Sequence, residues 1–298
     1  MARVLLTGAY GQVGKEIEVC LLNSEDEVIS CDHRALDISQ EDRVLSAVTE
    51  SGADIIINAA AYTNVEKAED ERVKAYEVNA YGPKYLAKAA KLADIPLIHI
   101  STDYVFSSEN GRPHREDDTV EAQCVYGKSK LEGEENIIAC CSKYLIVRAS
   151  WIFGRYGNNF VKTMLRLAGK YDAVSVVSDQ KGNPTPARAL AEALCIMMHE
   201  ALKPDFKDYG IYHFAGNPAT TWDEFARSVF KYAKLAGFIQ KDMVVKSILA
   251  KDYPSKAVRP YDSRLDTNKI NEVFKIDLPD WHDYLPETVG EFFDEQNN

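Results

Sequence analysis

The sequence has no apolar run long enough to cross a bilayer. Its most apolar helical stretch, Ala189–Met198, is interrupted by Glu192 and falls short of the about 20 residues that a spanning helix needs. No apolar targeting segment precedes the strand-like residues that begin at Arg3, so the expectation is a cytoplasmic chain with no membrane partner. Paired cysteine motifs are also missing. The six cysteines (Cys20, Cys31, Cys124, Cys140, Cys141 and Cys195) include no C-x-x-C, and the adjacent Cys140 and Cys141 cannot easily bridge each other. Reduced thiols follow, and a disulfide scaffold is excluded. The six histidines are scattered, without zinc-type spacing. Positive charge is scarce: 35 Lys and Arg stand against 46 Asp and Glu, a net charge of −11. That argues against nucleic acid as a partner, although a small phosphate site needs only a few local donors.

The first half of the chain alternates strand and helix signals. Apolar runs at Val4–Leu6, Glu27–Cys31, Ile55–Asn58, "PLIHIS" and "YLIVRAS" read as strands. Between them, helical spacing covers Gln12–Asn23, Glu41–Ser51, about Glu69–Leu92 and Tyr126–Cys140. Strands this apolar fit a parallel sheet covered on both faces by crossover helices. After Ser150 the pattern changes. Helices are expected at Phe160–Lys170, Ala187–Ala201, Thr221–Leu235 and from Tyr284 onward, with strands at Val174–Val177, Ile211–Phe214 and Val244–Ile248. The expected fold is α/β: a Rossmann-type doubly wound parallel sheet with a smaller, interleaved C-terminal substrate lobe. Residues 1–150, with about 171–203, are assigned to the NAD(P)-binding domain. About 151–170 and 204–298 are assigned mainly to the lobe.

"TGAYGQVG" follows the first strand and opens the first helix. Gly8, Gly11 and Gly14 suit a tight turn, a close approach of backbone to pyrophosphate, and a helix N-terminus facing phosphate charge. Gln12 and Val13 lie within the same loop. The spacing is G-x-x-G-x-x-G, so its position directly after the first strand carries the dinucleotide reading. Asp32, at the end of the second strand, suits an NADH ribose, whereas Arg34 suits the 2′-phosphate of NADPH. Asp37 and Ile38 are placed at the adenine, and Ala59, Ala60 and Ala61 against the cofactor.

"VYGKSKLEGE" puts Tyr126 and Lys130 on one face of a helix. A lysine beside a tyrosine favours the phenolate, so the pKa of Tyr126 is expected to fall toward values useful for proton transfer. "ISTDYVF" places Ser101, Thr102 and Asp103 at the carboxyl end of a strand, where open α/β sheets hold ligands. Thr102 is positioned to bond a substrate carbonyl. Asn79 is a further polar candidate, in competition with a solvent-facing helix position.

These motifs resemble the extended short-chain dehydrogenase/reductases. With "VSDQKGNPTPA" and "RPYDSRLDT", the chain is similar more narrowly to the dTDP-4-dehydrorhamnose reductase family. The resemblance runs from Leu5 to Thr267. It implies reduction of the C4 ketone of dTDP-4-dehydro-L-rhamnose by NADPH or NADH, with a lean to NADPH. The same resemblance carries the expectations of a dTDP-sugar as ligand, a homodimer and Mg2+. Tyr126 would protonate O4, with Lys130 on the nicotinamide ribose and Thr102 on the carbonyl. Asp103, Val105, Trp151, Asn159, Phe160, Gln180, Thr185 and Arg259 would lie at the substrate. The sequence departs from the family pattern at Ala122, where proline is usual, and has Cys124 two residues before Tyr126. Sugar-nucleotide 4-epimerases and GDP-fucose-type synthases share the glycine and tyrosine motifs, and some relatives are non-catalytic regulatory subunits, so those readings stay open.

Overall fold

A computed structural model describes residues 1–22, 24–107 and 111–297. The apolar runs of the first half form β1 (Arg3–Thr7), β2 (Glu27–Cys31), β3 (Ile55–Asn58), β4 (Leu97–Thr102) and β5 (Tyr144–Ala149). With Gly210–Phe214 they make a parallel six-stranded sheet, ordered Gly210–Phe214, β5, β4, β3, β1, β2. Successive side chains point to opposite faces, and both faces are covered. Val4, Leu6, Ile55, Ile57, Leu145 and Val147 pack with the helices Gln12–Leu22 and Ala187–Ala201. Leu5, Ile56 and Ile146 pack with Glu41–Ser51, Gly82–Ala93 and Val125–Cys140 on the other side. The end of the expected first helix, Asn23, lies outside the described residues.

The helix expected at about Glu69–Leu92 is not continuous. Val65–Ala68 is separate, and Arg72–Tyr76 runs through a π-helical turn at Glu77–Tyr81 into Gly82–Ala93. The wide turn aims Asn79 inward, which corrects the solvent-facing alternative. Asn79 is buried, and its amide bonds the Tyr62 backbone at 2.8 and 3.0 Å and Ser129 Oγ at 3.1 Å.

The second lobe gathers the helices Phe160–Ala168, Trp222–Leu235 and Leu285–Asn297 around one apolar cluster. Ala173–Val177 belongs to this cluster and pairs in parallel with Val244–Ile248, while Gly210–Phe214 completes the large sheet. The expected boundaries put about 171–203 with the sheet and 204–298 mainly with the lobe, whereas these two strands pair the other way round. Five-residue apolar strands look alike locally, and which sheet each joins is a long-range choice. The clue lay in burial: Ala173–Val177 exposes Ser175 between buried valines, whereas Tyr212, His213 and Phe214 are all buried. Arg155 ties the two parts together, bonding Glu16 on the first helix at 3.0 Å and Glu287 on the last at 3.4 Å. Among the described residues no helix is long and apolar enough to cross a membrane.

Candidate functional site

The glycine loop is built as its residues require. Gly8 has φ of 71°, and a Cβ there would lie 2.5 Å from the Ala60 nitrogen. Gly11 N donates to Gly8 O at 2.9 Å, and Lys15 N to Gly11 O at 3.0 Å begins the helical ladder. The amides of Gln12, Val13 and Gly14 precede that bond, so they stand at the helix N-terminus without helical partners. A Cβ on Gly14 would sit 2.8 Å from Ala9 Cα, so only glycine lets the helix lie this close to the loop. Val13 is buried, and Gln12 reaches across to Ile152 O at 3.2 Å and Asn159 Nδ2 at 2.9 Å.

Directly after β2, Asp32 accepts the amides of Arg34 and Ala35 at 2.9 and 2.8 Å. Those bonds, the Ala35 one foremost, hold its carboxyl below the usual range against the cost of desolvation. Arg34 is exposed beside it. Asp37 bonds Ser39, and Ile38 is buried against Gly82, where a Cβ would lie 2.7 Å from its Cδ1. Ala59, Ala60 and Ala61 follow β3 and are half-buried.

The tyrosine and its neighbours meet where β4 ends. Cys124 caps the Val125–Cys140 helix, its Sγ accepting Gly127 N at 3.4 Å. Burial pushes that thiol up, so it stays protonated and acts as packing. Tyr126, in the first turn, has its phenol near enough to the Thr102 hydroxyl for that group to lower it, and lies edge-on to Tyr104 at 5.5 Å. Thr102 Oγ1 donates to Asp103 Oδ1 at 3.1 Å and accepts Tyr104 N at 3.2 Å. Lys130 is buried one turn on, with Nζ 2.7 Å from Ile100 O and 3.1 Å from His99 Nε2. The expected lowering of the Tyr126 phenol by Lys130 is not found. Burial raises the phenol, the Thr102 hydroxyl offsets only part of this, and Lys130 is engaged elsewhere. Burial lowers Lys130 itself to about 8.

Behind this group runs a buried polar line. Thr7 Oγ1 donates to Asn58 Oδ1 at 2.7 Å, and Asn58 Nδ2 lies 2.9 Å from His99 Nδ1. Beside it, Glu134 and Arg148 form an ion pair at 2.6 Å, and Ser101 Oγ donates to the same carboxylate at 2.5 Å.

Burial pushes the Asp103 carboxyl up to about 6. A raised carboxyl destabilises the fold where it is ionised. The cost is absent below the unfolded value near 3.8 and complete above about 6, and it amounts to about 3 kcal/mol. Asp103→Asn is therefore expected to raise the thermal midpoint at pH 7.5, with an advantage that shrinks as pH falls to 5. Thermal melts of both proteins across that range check it, and a constant difference would count against an ionised, buried Asp103.

Phe160, Gln180 and Arg259, distant in sequence, line one cavity of 380 Å³ together with Trp222, Lys251 and Lys256. Trp151 stacks on Trp222 with centroids 3.5 Å apart, and a Cβ on Gly182 would collide with its indole. Its φ of 47° is rare for so bulky a residue. Arg259 bonds Glu66 at 2.9 Å, leaving Nε buried without a hydrogen-bond partner. Its charge also acts on Tyr104, the ring beside Tyr126. Other expected substrate residues lie elsewhere. Val105 is fully buried with Phe106 and Leu265, so it packs rather than touches a ligand. Thr185 is likewise buried and bonds Asn183 O at 3.3 Å. Asn159 caps the Phe160–Ala168 helix and joins it to Gln12.

Sequence reasoning missed Trp222, Tyr104 and His99. Trp222 carries no motif, and its role comes only from stacking. Tyr104 sat inside "ISTDYVF" and His99 inside the strand run "PLIHIS", and a histidine within an apolar strand was the signal available. Among the described residues no group of three or more His, Cys, Asp or Glu is placed to hold a metal ion.

A family model described as "RmlD substrate binding domain" matches residues 2–293. The chain is 43% identical over 282 residues to a dTDP-4-dehydrorhamnose reductase of Aggregatibacter actinomycetemcomitans, covering 94% of this chain and 96% of the relative. It is 39% identical over 295 residues to that of Escherichia coli strain K12, covering 97% and 98%. Among solved structures it is similar to a dTDP-4-dehydrorhamnose reductase from Bacillus anthracis in complex with NADP. The TM-score is 0.88 at 36% identity, with 99% of each chain covered.

Proposed function

Because the chain belongs to the RmlD substrate binding domain family, we propose that it is a dTDP-4-dehydrorhamnose reductase, converting the C4 ketone of dTDP-4-dehydro-L-rhamnose into the alcohol of dTDP-L-rhamnose. The observation that carries this reading is the meeting of Thr102 and Tyr126 at the carboxyl end of β4, with Lys130 one helical turn away. A nicotinamide dinucleotide, when bound, supplies the hydride that reaches the carbonyl carbon. The residues present fit that group by their donor chemistry. The amides of Gln12, Val13 and Gly14 suit the pyrophosphate, and Gly8 and Gly11 remove side chains from its path. Asp32 and Arg34 stand at the ribose end, and the exposed Arg34 supports NADPH as the preferred donor.

The chain's own residues handle the proton. Tyr126 Oη gives its hydrogen to O4 as the alcohol forms, and Thr102 Oγ1 orients the carbonyl oxygen. The raised phenol suits reduction, since it keeps Tyr126 protonated and ready to donate at neutral pH. Lys130 would hold the nicotinamide ribose. Lys251, Lys256 and Arg259 at the cavity rim provide cations for the diphosphate of the sugar nucleotide, and Trp151 on Trp222 forms an apolar wall. Arg259→Met is expected to raise KM for the sugar nucleotide roughly tenfold with little change in kcat, the mark of a lost binding contact. Steady-state kinetics decide it, and an unchanged KM removes Arg259 from the substrate site.

The proposed activity is tested by following NADPH and NADH oxidation with dTDP-4-dehydro-L-rhamnose beside UDP- and GDP-linked keto sugars. Rapid oxidation with the dTDP sugar alone supports it. No oxidation despite measurable dinucleotide binding overturns it. Turnover without added reductant points to an epimerase.

A further inference from the structure

The line of polar groups behind Lys130 has a defined direction. Ala60 N–H can only donate, and it points at Asn58 Oδ1 at 3.0 Å. That contact sets the Asn58 amide, whose oxygen also accepts Thr7 Oγ1 at 2.7 Å. Asn58 Nδ2 is then the group facing His99 Nδ1 at 2.9 Å, and it donates. His99 Nδ1 must carry a lone pair, so a neutral imidazole holds its hydrogen on Nε2. An imidazolium is disfavoured because His99 is fully buried. His99 Nε2–H therefore faces Lys130 Nζ at 3.1 Å. An ammonium has only donors and would oppose that N–H. An amine has a lone pair to receive it and still donates to Ile100 O at 2.7 Å.

We infer that Asn58 and His99 are positioning residues for Lys130, presenting it with an N–H and so favouring its neutral amine over the ammonium. Of the groups around Lys130, the Glu134 carboxylate favours the ammonium, and burial outweighs it. His99 comes from β4. Glu134, one turn along the same helix, is the nearby carboxylate, and its charge is met by Arg148 from β5 and by Ser101. The facing Asn79–Ser129 pair is uncharged. Lys130 thus gives up its proton far more readily than an ordinary lysine. The inference rests on the proposed function only for what that readiness does in turnover; its first test needs no substrate.

That test uses the ligand-free full chain labelled with ¹⁵N-histidine at pH 7.5. Long-range ¹H–¹⁵N correlations identify which ring nitrogen is protonated, and His99→Gln assigns the resonances of His99. The expected result is a bare Nδ1 and a protonated Nε2. A protonated Nδ1, alone or with Nε2, overturns the inference. Asn58→Asp then replaces the donor amide by an acceptor while keeping partners for Thr7 and Ala60. It is expected to move the His99 proton to Nδ1 and to shift the basic limb of the kcat profile up by about one pH unit or more. Reversal of the tautomer with an unmoved limb would sever His99 from Lys130. A merely structural role for Asn58 would lower kcat at every pH without moving either readout. If Asn58→Asp does not fold, the wild-type tautomer decides alone. A lack of turnover with every keto sugar counts against the reductase activity and leaves the tautomer result standing.

Discussion

Tyr126→Phe is expected to lower kcat by roughly 10²-fold or more while leaving dinucleotide affinity nearly unchanged. The substitution deletes one oxygen. The ring that meets Tyr104 edge-on at 5.5 Å is kept, and so is the helix start capped by Cys124. What disappears is the hydrogen that passes to O4 and the contact of the phenol with Thr102. The developing alkoxide would then have Thr102 as its near donor, and the single hydrogen of that hydroxyl must turn to it from Asp103 Oδ1. Steady-state oxidation of NADPH with the keto sugar, beside a fluorescence titration of the dinucleotide, separates the two effects. Near-normal turnover would remove Tyr126 from the proton step. An equal loss of dinucleotide affinity would recast it as a binding residue.

The largest effect on stability is expected at Arg148. Its guanidinium is 2% exposed and meets Glu134, 1% exposed, at 2.6 Å through Nη2 and 3.0 Å through Nε. The same cation lies 5.0 Å from the centre of the Phe106 ring. Arg148→Met leaves a carboxylate buried against an apolar neighbour with Ser101 as its remaining partner, and the cost is about 3–5 kcal/mol. Adding Glu134→Leu to the same chain removes the stranded charge and is expected to recover most of the loss, because two apolar side chains of similar volume fit a buried pair site. Denaturant midpoints for the single and double variants make the comparison. A loss below about 1 kcal/mol in Arg148→Met would mean that water reaches the pair.

Much of the site was legible because it is local. Gly8, Gly11 and Gly14 follow from what a strand-to-helix turn demands of its backbone, and the Gly8 turn has the positive φ that demand implies. Tyr126 and Lys130 share a helix face by spacing alone, and Thr102 ends a strand by its place in an apolar run. Val105 and Thr185 show where this reasoning stops. Both lie in quoted motifs, yet both are fully buried, because a motif records a stretch of chain and not the direction of each side chain.

The expected effect of Lys130 on Tyr126 failed for a related reason. Spacing brings both residues to one face, but it cannot say that Ile100 and His99 engage the Lys130 nitrogen, or that burial raises the phenol. The pairing of Ala173–Val177 and Gly210–Phe214 opposite to the expected allotment has the same origin, since strand pairing joins residues far apart in the chain.

From the sequence alone came the doubly wound sheet, the glycine loop and the tyrosine–lysine helix, each set by periodicity and backbone sterics over short spans. Only the tertiary structure decided the cavity shared by Phe160, Gln180, Trp222 and Arg259, the Glu134–Arg148 pair and the ordered line from Ala60 to Lys130. Those depend on burial and on hydrogen-bond partners brought from separate strands and helices, which no local pattern encodes.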